Sequence, residues 1–530
     1  MMRILLINPF YPISETPSPP LGLAYLGAAL EEAGAQVKIL DYVVYPYTRS
    51  GLETVIRHFK PHIAGATAVT MTFDHARQLL TDIKAINPVI LTVMGGPHVT
   101  FRPTETLKEV PELDVVVIAE GEQTFVDLVH TLKNAQRLDR VSGIVFRTGS
   151  DMTITSKRPF IHHLDTLPLP ARHLLPLGRY RALGLPMTLT TSRGCPFQCI
   201  FCVGRKMGGA KVRYHSAARV AAEMAYLAKR RFDQFNIADD LFTANPDHCL
   251  AVCEAISRHR LKVNWTAFAR VDTLSVELLS KMKIAGCTAV SFGVESANPN
   301  ILKTIKKGIN LNQIRQAVKM CRRVGISPNA SFILGLPGEN RDTIKETLAL
   351  AAELQQEGLA YGFHVLAPFP GTEVREHADR LGIRILTDDW SQYHANRAVA
   401  ETVTANHRQL DDIVSGWEKK YYQYLGHVQK SIQAGTASVA EVNQFEQLKR
   451  TVVVYELMMK NIIEEHGTWS QQGPPRNAEI NLKLLIDRII PNQNTDRHVL
   501  ESALIQAAAS GDLGCQTENS RVKWHWHDYL

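Results

Sequence analysis

The chain has 530 residues, too many for one hydrophobic core, so about three domains of roughly 150 residues each are expected. Its apolar share of 45% and charged share of 21% are those of a globular protein, and no uninterrupted apolar run reaches the roughly 18 residues of a membrane span. The net charge of +7 is spread along the sequence rather than gathered into a basic stripe with aromatic stacking partners, which argues against a nucleic-acid binder.

The opening "MMRILLINPF" has the pattern of a buried strand and lacks a signal-peptide cleavage site, so a soluble, cytoplasmic protein is expected. Over the first 130 residues, short β-branched runs alternate with helical segments. "RILLIN" (3–8), "VKILD" (37–41), "IAGATAV" (63–69), "VILTVMGG" (89–96) and "DVVVIAEG" (114–121) are continuously apolar, as parallel strands covered on both faces should be. Between the first two, Leu23, Leu26, Ala29 and Leu30 share one helical face, and Gly34 ends the helix. This βαβ alternation predicts an open, doubly wound α/β sheet of flavodoxin or Rossmann type, whose ligands lie outside the carboxyl ends of the strands. Those ends carry Pro19, Pro20 and Gly22, then Thr70 and Met71, then Gly95, Gly96 and His98, then Glu120 and Gly121. Turn chemistry accounts for any one of them, and their recurrence at successive strand ends points to a site. With neither G-x-G-x-x-G nor a Walker P-loop, a phosphate cradle lacks its residues.

From about 150 to 185, Pro168, Pro170 and Pro176 forbid a long helix and predict an extended linker. Strands resume at "MTLTTSR" (187–193), "QFNIAD" (234–239), "VNWTAF" (263–268), "TAVSFGV" (288–294), "NASFILGL" (329–336) and "YGFHVLAPF" (361–369), which with the helices between them fit a partial or complete α/β barrel with its chemistry at the strand C-termini. After about 400 the pattern is largely helical. Leu448, Val452, Tyr455 and Met459 form one stripe, expected to be core, and the "KWHWHDYL" ending is expected to pack rather than bind metal.

Five of the eight cysteines, Cys249, Cys253, Cys287, Cys321 and Cys515, are scattered without a disulfide framework. The other three lie together in "TSRGCPFQCIFC", after the first predicted barrel strand. A disulfide between two of Cys195, Cys199 and Cys202 would leave one thiol over, and structural zinc would have to recruit a fourth ligand such as His215. A cubane iron-sulfur cluster accepts such short spacings, and three thiolates leave one iron open for chemistry.

The C-x3-C-x2-C motif, with Phe201 before its last cysteine, resembles that of the radical S-adenosylmethionine superfamily. "NIADDLFT", "WTAFARVDTL", "SFGVESANP", "FILGLPGE" and "APFPGTEV" match the segments that follow its later strands. Upstream, "SPPLGLAYLGAALEEAG", "GGPHVTFRP" and "IAEGEQTF" resemble the cobalamin-binding domain of the cobalamin-dependent subgroup, so the resemblance covers about residues 1–400. It implies a cobalamin-binding domain (1–145) and a (β/α)6-type partial TIM barrel (186–400), and the sequence pattern adds a linker (146–185) and a helical C-terminal domain (401–530).

It also implies a [4Fe-4S] cluster on Cys195, Cys199 and Cys202, with Phe201 beside it, whose unique iron chelates S-adenosylmethionine. An electron from the cluster then cleaves the S–C5′ bond to give a 5′-deoxyadenosyl radical. Asp239 and Asp240 match residues that hold the methionine portion, although an aspartate there also caps a helix. Arg270 and Glu295 match positions near the carboxylate and ribose, with a structural ion pair as the alternative for each. Backbone from Leu336 to Gly338 would line the adenine. Pro20, Gly22, Thr70, Met71, Gly95, Gly96, His98, Glu120 and Gly121 would face the corrinoid. The D-x-H-x-x-G motif that supplies a lower cobalt ligand is missing, since "DHARQLL" does not match it. The lower face of cobalt is then expected to be empty, watery or touched by a nearby residue, and His98 is expected to be a hydrogen-bonded loop histidine rather than a ligand.

The expected activity is methylation of an unactivated carbon or phosphorus centre, fed by an external electron donor such as flavodoxin or ferredoxin and acting on a small-molecule or peptide substrate. A non-methylating relative such as the anaerobic Mg-protoporphyrin monomethyl ester cyclase shares every motif quoted, and a corrinoid-binding sensor or carrier is the reading from another class.

Overall fold

The computed structural model describes residues 1–11, 17–149, 151–471, 477–492, 496–518 and 520–530. In the first sheet, β1 (Arg3–Asn8), β2 (Gln36–Asp41), β3 (Ile63–Thr67), β4 (Leu91–Gly95) and β5 (Val115–Val117) are parallel. Two antiparallel strands, β6 (Ile144–Thr148) and β7 (Asp151–Ile154), complete the order β2-β1-β3-β4-β5-β6-β7. The continuous apolar run of β1 is used on both faces: Ile4 and Leu6 enter one core, Leu5 and Ile7 the other. Because the chain crosses from β2 on one side of β1 to β3 on the other, a crevice opens between β1 and β3 at their carboxyl ends. The boundary expected at 145 falls inside β6. The hairpin pairing of Arg147 with Met152 and of Thr148 with Asp151 carries the sheet on to Ile154, into what the prolines further on suggested was linker.

The second sheet has six parallel strands, β8 (Met187–Leu189), β11 (Gln234–Ile237), β12 (Asn264–Ala269), β13 (Cys287–Glu295), β14 (Ser327–Leu334) and β15 (Ala360–Val365), side by side in chain order. Between β8 and β11 lies a small antiparallel pair, β9 (Ser192–Arg193) with β10 (Arg213–Tyr214). The outward residues Phe235, Trp265, Phe292, Phe332 and Phe363 are buried under the helices. The inward ones, among them Thr188, Asn236, Ser291, Ser331 and His364, remain partly or fully exposed, so the partial barrel has an open, polar lumen. Asn245, Ser275, Asn298, Asn310 and Asn340 each accept first-turn N–H groups at the start of a barrel helix, worth about 1 kcal/mol apiece.

Beyond the barrel, β16 (Ile383–Ile385) pairs with β17 (Ala400–Thr402), and helices His407–Gln433, Val439–Met459, Ala478–Ile489 and Arg497–Ala509 follow. This region also holds a three-stranded sheet of β18 (Thr468–Ser470), β19 (Leu513–Glu518) and β20 (Arg521–Trp526), with β20 in the centre. The W-H-W-H alternation has the period of a strand: Trp524 and Trp526 are buried and His525 is turned the other way. The stripe expected from helix 439–459 is corrected. The helix buries Phe445, Val453, Val454, Leu457 and Met458, while Leu448 and Val452 are 41% and 57% exposed, so its packed face is rotated away from the expected one. Among the described residues no helix is long and apolar enough to cross a membrane.

Arg179, on the helix Leu177–Leu183, ties these parts together. It donates to Val44 O (3.1 Å), Glu464 Oε1 (2.8 Å) and Asp528 Oδ1 (2.7 Å), and its guanidinium lies 3.9 Å from the Tyr45 ring centroid. The neighbouring Gly178 N–H donates to Asp528 O, and a Cβ at Gly178 would collide with the carbonyl oxygen of His527. Gly178→Ala is therefore expected to displace residues 527–530 and cost about 1–3 kcal/mol, seen as a lower Tm and earlier proteolysis of that segment.

Candidate active site

The cysteine loop is built on close backbone approaches. Gly194 has φ +104°, and a Cβ there would lie 2.8 Å from the carbonyl oxygens of both Gly208 and Gly209, so only glycine fits. The loop is pinned by Cys195 N–H to Gly209 O (3.0 Å), Ile200 N–H to Ile305 O (3.2 Å) and Cys202 N–H to Cys199 O (3.2 Å). Gly204 N–H donates to Cys202 Sγ at 3.3 Å, and Cys199 Sγ lies 3.9 Å from Lys306 O. Burial pushes all three thiols up, Cys202 to about 11, with Arg270 and Lys307 opposing it at Cys199. All eight cysteines are free thiols. Among the described residues no three His, Cys, Asp or Glu side chains converge as a single metal ion requires, and His215 is engaged elsewhere, with Asp165 (3.0 Å) and Tyr25 (3.4 Å).

Asp239 is buried and fully committed to its own scaffold. Oδ1 accepts from Thr191 N–H (2.6 Å) and Ser192 N–H (3.1 Å), and Oδ2 from the Thr191 (2.6 Å) and Ser192 (2.7 Å) hydroxyls. Asp240, next in the chain, is exposed and faces the cavity described below. Arg270 lies 3.5 Å above the Phe197 ring centroid, grips Asp272 through two nitrogens (2.9 and 3.0 Å) and donates to Lys307 O (2.8 Å). Glu295 pairs with Lys307 at 2.7 Å, both buried, and Lys307 Nζ stands 5.9 Å from the Phe201 ring centroid. Glu295 has φ +69°, a costly conformation for a glutamate, at the point where the β13–β14 register shifts. A Cβ at Gly293 would overlap the Glu295 carboxylate. Leu336 is buried in the turn after β14, where Glu339 Oε2 accepts from Gly335 N–H (2.7 Å) and Leu336 N–H (3.1 Å) and burial pushes the Glu339 carboxyl up to about 7.

Two contacts hold the first sheet against this loop. Arg193 pairs with Glu120 (3.1 Å) and Glu122 (2.7 Å), and Arg213 pairs with Glu120 (2.9 Å) while donating to Ile161 O (2.6 Å) and Gly208 O (2.7 Å). Burial alone would raise the Glu120 carboxyl, but hydrogen bonds from Arg213 and Ile161 N–H and the Arg193 charge outweigh it and hold it below the usual range. The second contact is Trp390, carried beyond the barrel, which packs edge-on against His98 (5.0 Å) between Arg102 (5.2 Å) and Arg375 (4.5 Å).

Between the two domains lies a cavity of about 620 Å³. Pro20, Gly22, Gly95, Gly96, Glu120 and Gly121 line its first-domain side; Thr188, Ser192, Gly194, Gly208 and Asp240 line the barrel side. Leu6, Leu26, Gly65, Val93, Val117 and Phe125 give its first-domain side an apolar patch, where a Cβ on Gly65 would lie 3.6 Å from both Leu6 and Phe125. Thr70, Met71 and His98 are not among the lining residues. The chain after β3 turns into a 3-10 segment, Thr70–Thr72, that packs against the Trp390 segment. His98 is buried, stacked on Phe73 at 4.3 Å and bonded to the Thr70 hydroxyl at 3.3 Å, and burial lowers it to about 3. Sequence reasoning passed over Arg193, Arg213, Glu122, Lys307 and Trp390. Arg193 and Glu122 lay inside quoted motifs, whereas nothing local marked Lys307 or Trp390.

Residues 189–351 match the family model of the radical SAM superfamily, and residues 14–129 match that of the B12 binding domain. The chain is 36% identical over 400 residues to an uncharacterized methyltransferase of Pyrococcus horikoshii, covering 74% of this chain and 86% of that one. It is 28% identical to the anaerobic magnesium-protoporphyrin IX monomethyl ester cyclase of Rubrivivax gelatinosus (81% and 79% covered). It is 30% identical to the cytidylyl-2-hydroxyethylphosphonate methyltransferase of Streptomyces wedmorensis (72% and 82% covered). The solved structure of the cobalamin-dependent S-adenosylmethionine radical enzyme OxsB, with aqua-cobalamin and S-adenosylmethionine bound, superposes with a TM-score of 0.70 at 17% identity, covering 96% of this chain and 84% of that one.

Arg193→Leu would leave Glu120 and Glu122 short of a buried partner and is expected to cost about 3–5 kcal/mol, read by chemical unfolding, with Arg193→Lys recovering part of it. Because the folded-state value of Glu120 lies below its unfolded one, its contribution is complete above about pH 4.3 and is lost as the pH falls through the folded value. Tm between pH 3 and 6 should therefore fall more steeply on acidification in the wild type than in Glu120→Gln.

Proposed function

Given that this chain belongs to the radical S-adenosylmethionine superfamily, among the members that carry a B12-binding domain, we propose that it transfers a methyl group to an unactivated carbon or phosphorus centre of a small molecule. The observation that carries this reading is the shared cavity, which has the carboxyl ends of the first sheet on one side and Gly194 and Asp240 on the other.

The residues fit the implied groups. Three soft, free thiols on one loop would suit three corners of a cubane cluster. The apolar residues around Gly65 would suit a flat aromatic group such as the base of a corrinoid. When bound, the cluster supplies an electron to the sulfonium of S-adenosylmethionine, and the corrinoid supplies a methyl carrier.

The chain's own residues then have separable tasks. Cys195, Cys199 and Cys202 hold the cluster, and Phe197 and Phe201 shield it beside the cations of Arg270 and Lys307. Asp240, which accepts a hydrogen bond from the Gly194 N–H, would offer its carboxylate to an ammonium group in the cavity. Asp239 acts one step back by fixing Thr191 and Ser192, and Arg270 and Glu295, each already paired and outside the cavity lining, would act as structural ion pairs behind the cysteine loop. Glu339 fastens the turn whose backbone would line the adenine. The Glu120–Arg193 clamp keeps the cavity walls together and limits water.

Anaerobically reconstituted protein supplied with cobalamin, reductant and S-adenosylmethionine should form both 5′-deoxyadenosine and S-adenosylhomocysteine, with a product heavier by one methylene unit. 5′-Deoxyadenosine without S-adenosylhomocysteine would favour the cyclase-type reading that the Rubrivivax relative keeps open. Alanine at any of the three cysteines should abolish cleavage of the cosubstrate. Gly65→Leu, which fills the apolar patch, should lower cobalamin retention at least tenfold on gel filtration, with a Tm loss from overpacking against Leu6 and Phe125 and far-UV circular dichroism showing that the variant is folded.

A further inference from the structure

A second hollow, of about 520 Å³, lies between helices His407–Gln433 and Val439–Met459. It is walled by Leu185, Tyr421, Tyr424, Phe445, Leu448 and Val452. Tyr421, Tyr424, Leu448 and Val452 are 41–57% exposed there, an unusual cluster of large apolar side chains in contact with solvent. Its volume is that of a small-molecule site rather than of a protein interface. The one carboxylate in the wall, Glu441, is held through Oε2 by the N–H and hydroxyl of Ser438 (2.8 and 2.7 Å), and no Lys or Arg is among the lining residues.

The hollow lies within about 10 Å of the reaction cavity, the span of three extended residues. Pro17 and Leu185 line the hollow, while Pro20 and Thr188, three residues further along each of the same two segments, line the cavity. Along the first helix, Trp417 stacks on Tyr421 (6.2 Å between centroids, 10° between planes), and a Cβ at Gly362 on the last barrel strand would lie 3.8 Å from Trp417. From Trp417 to Val428 this face extends about 16 Å at 1.5 Å per residue.

We propose that this hollow seats the elongated, uncharged hydrocarbon arm of the small-molecule substrate, whose reactive end reaches the cavity; the assignment rests on the methyl-transfer reading above. The aromatic rings supply contact area at little conformational cost, and a wall with one carboxylate and no cation disfavours a phosphate or carboxylate in the arm.

Full-length protein is titrated with N-dodecyl dansylamide, an uncharged alkyl probe, and then with n-dodecanol as competitor. The expected result is a saturable, blue-shifted fluorescence rise that dodecanol reverses. Affinity should fall at least tenfold in the double variant Leu448→Glu, Val452→Glu and about threefold in the milder Leu448→Ser. It should be unchanged in Val439→Glu, a position 77% exposed on the same helix outside the hollow. Far-UV circular dichroism and Tm establish that each variant is folded. Unsaturable binding, or equal affinity in wild type and both hollow variants, would overturn the proposal. So would a wild-type dimer, on sedimentation, that the double variant converts to monomer, since a second copy would then be the occupant. The titration needs no turnover, so 5′-deoxyadenosine release by the wild-type holoenzyme reports on the methyl-transfer reading separately.

Discussion

The ion-pair network that joins Glu120 and Glu122 to Arg193 and Arg213 sets the relation between the two halves of the site. Arg193 stands immediately before Gly194 and Cys195, so the hairpin that presents the thiols in one direction presents a guanidinium to the first domain in the other. With side chains 6–18% exposed, these charges act in a poorly screened setting, and losing one member strands the others. The opposite side of the seam is held by aromatic packing, with Trp390 between two arginines and against His98. One side of the joint is directional and the other is shape-dependent, and the cavity lies between the domains they join.

Inside that frame, most of the polar groups that sequence matching assigns to ligands already have protein partners. Asp239, Arg270, Glu295 and Glu120 are all paired with other side chains or with several donors, and Asp240 is an exposed carboxylate held by the Gly194 N–H. The site thus has an inner layer of backbone and one solvent-facing acid, supported by an outer layer of paired charges. The left-handed Glu295, and Gly194 with no room for a side chain, mark where the backbone gives up ordinary geometry to bring strand ends close to the loop.

Much of this was legible in the sequence. Continuous apolar runs marked the strands of the first sheet because they bury both faces, alternating runs with buried outward residues marked those of the second, and the cysteine spacing located the loop. Six of the glycine, proline and glutamate positions at the first sheet's strand ends do line the cavity. Thr70, Met71 and His98 do not, because their direction is decided by Trp390, nearly three hundred residues later, which no local pattern announces. Glu120 reaches the cavity yet serves as an anchor, since its arginine partners come from the other domain. The stripe at Leu448 and Val452 misled for a related reason: helical period gives a face, while what covers that face depends on a neighbouring helix that leaves it partly bare. The paired states of Arg270 and Glu295 were within reach, because Asp272 and Lys307 lie nearby in the chain.

Asp239 places a constraint on descent as well as on geometry. A carboxylate that answers two amides and two hydroxyls cannot become an amide or an alanine without stranding the Thr191 and Ser192 donors in a dry interior. These three positions form one heritable unit, so diverging lineages should change them together or keep all three.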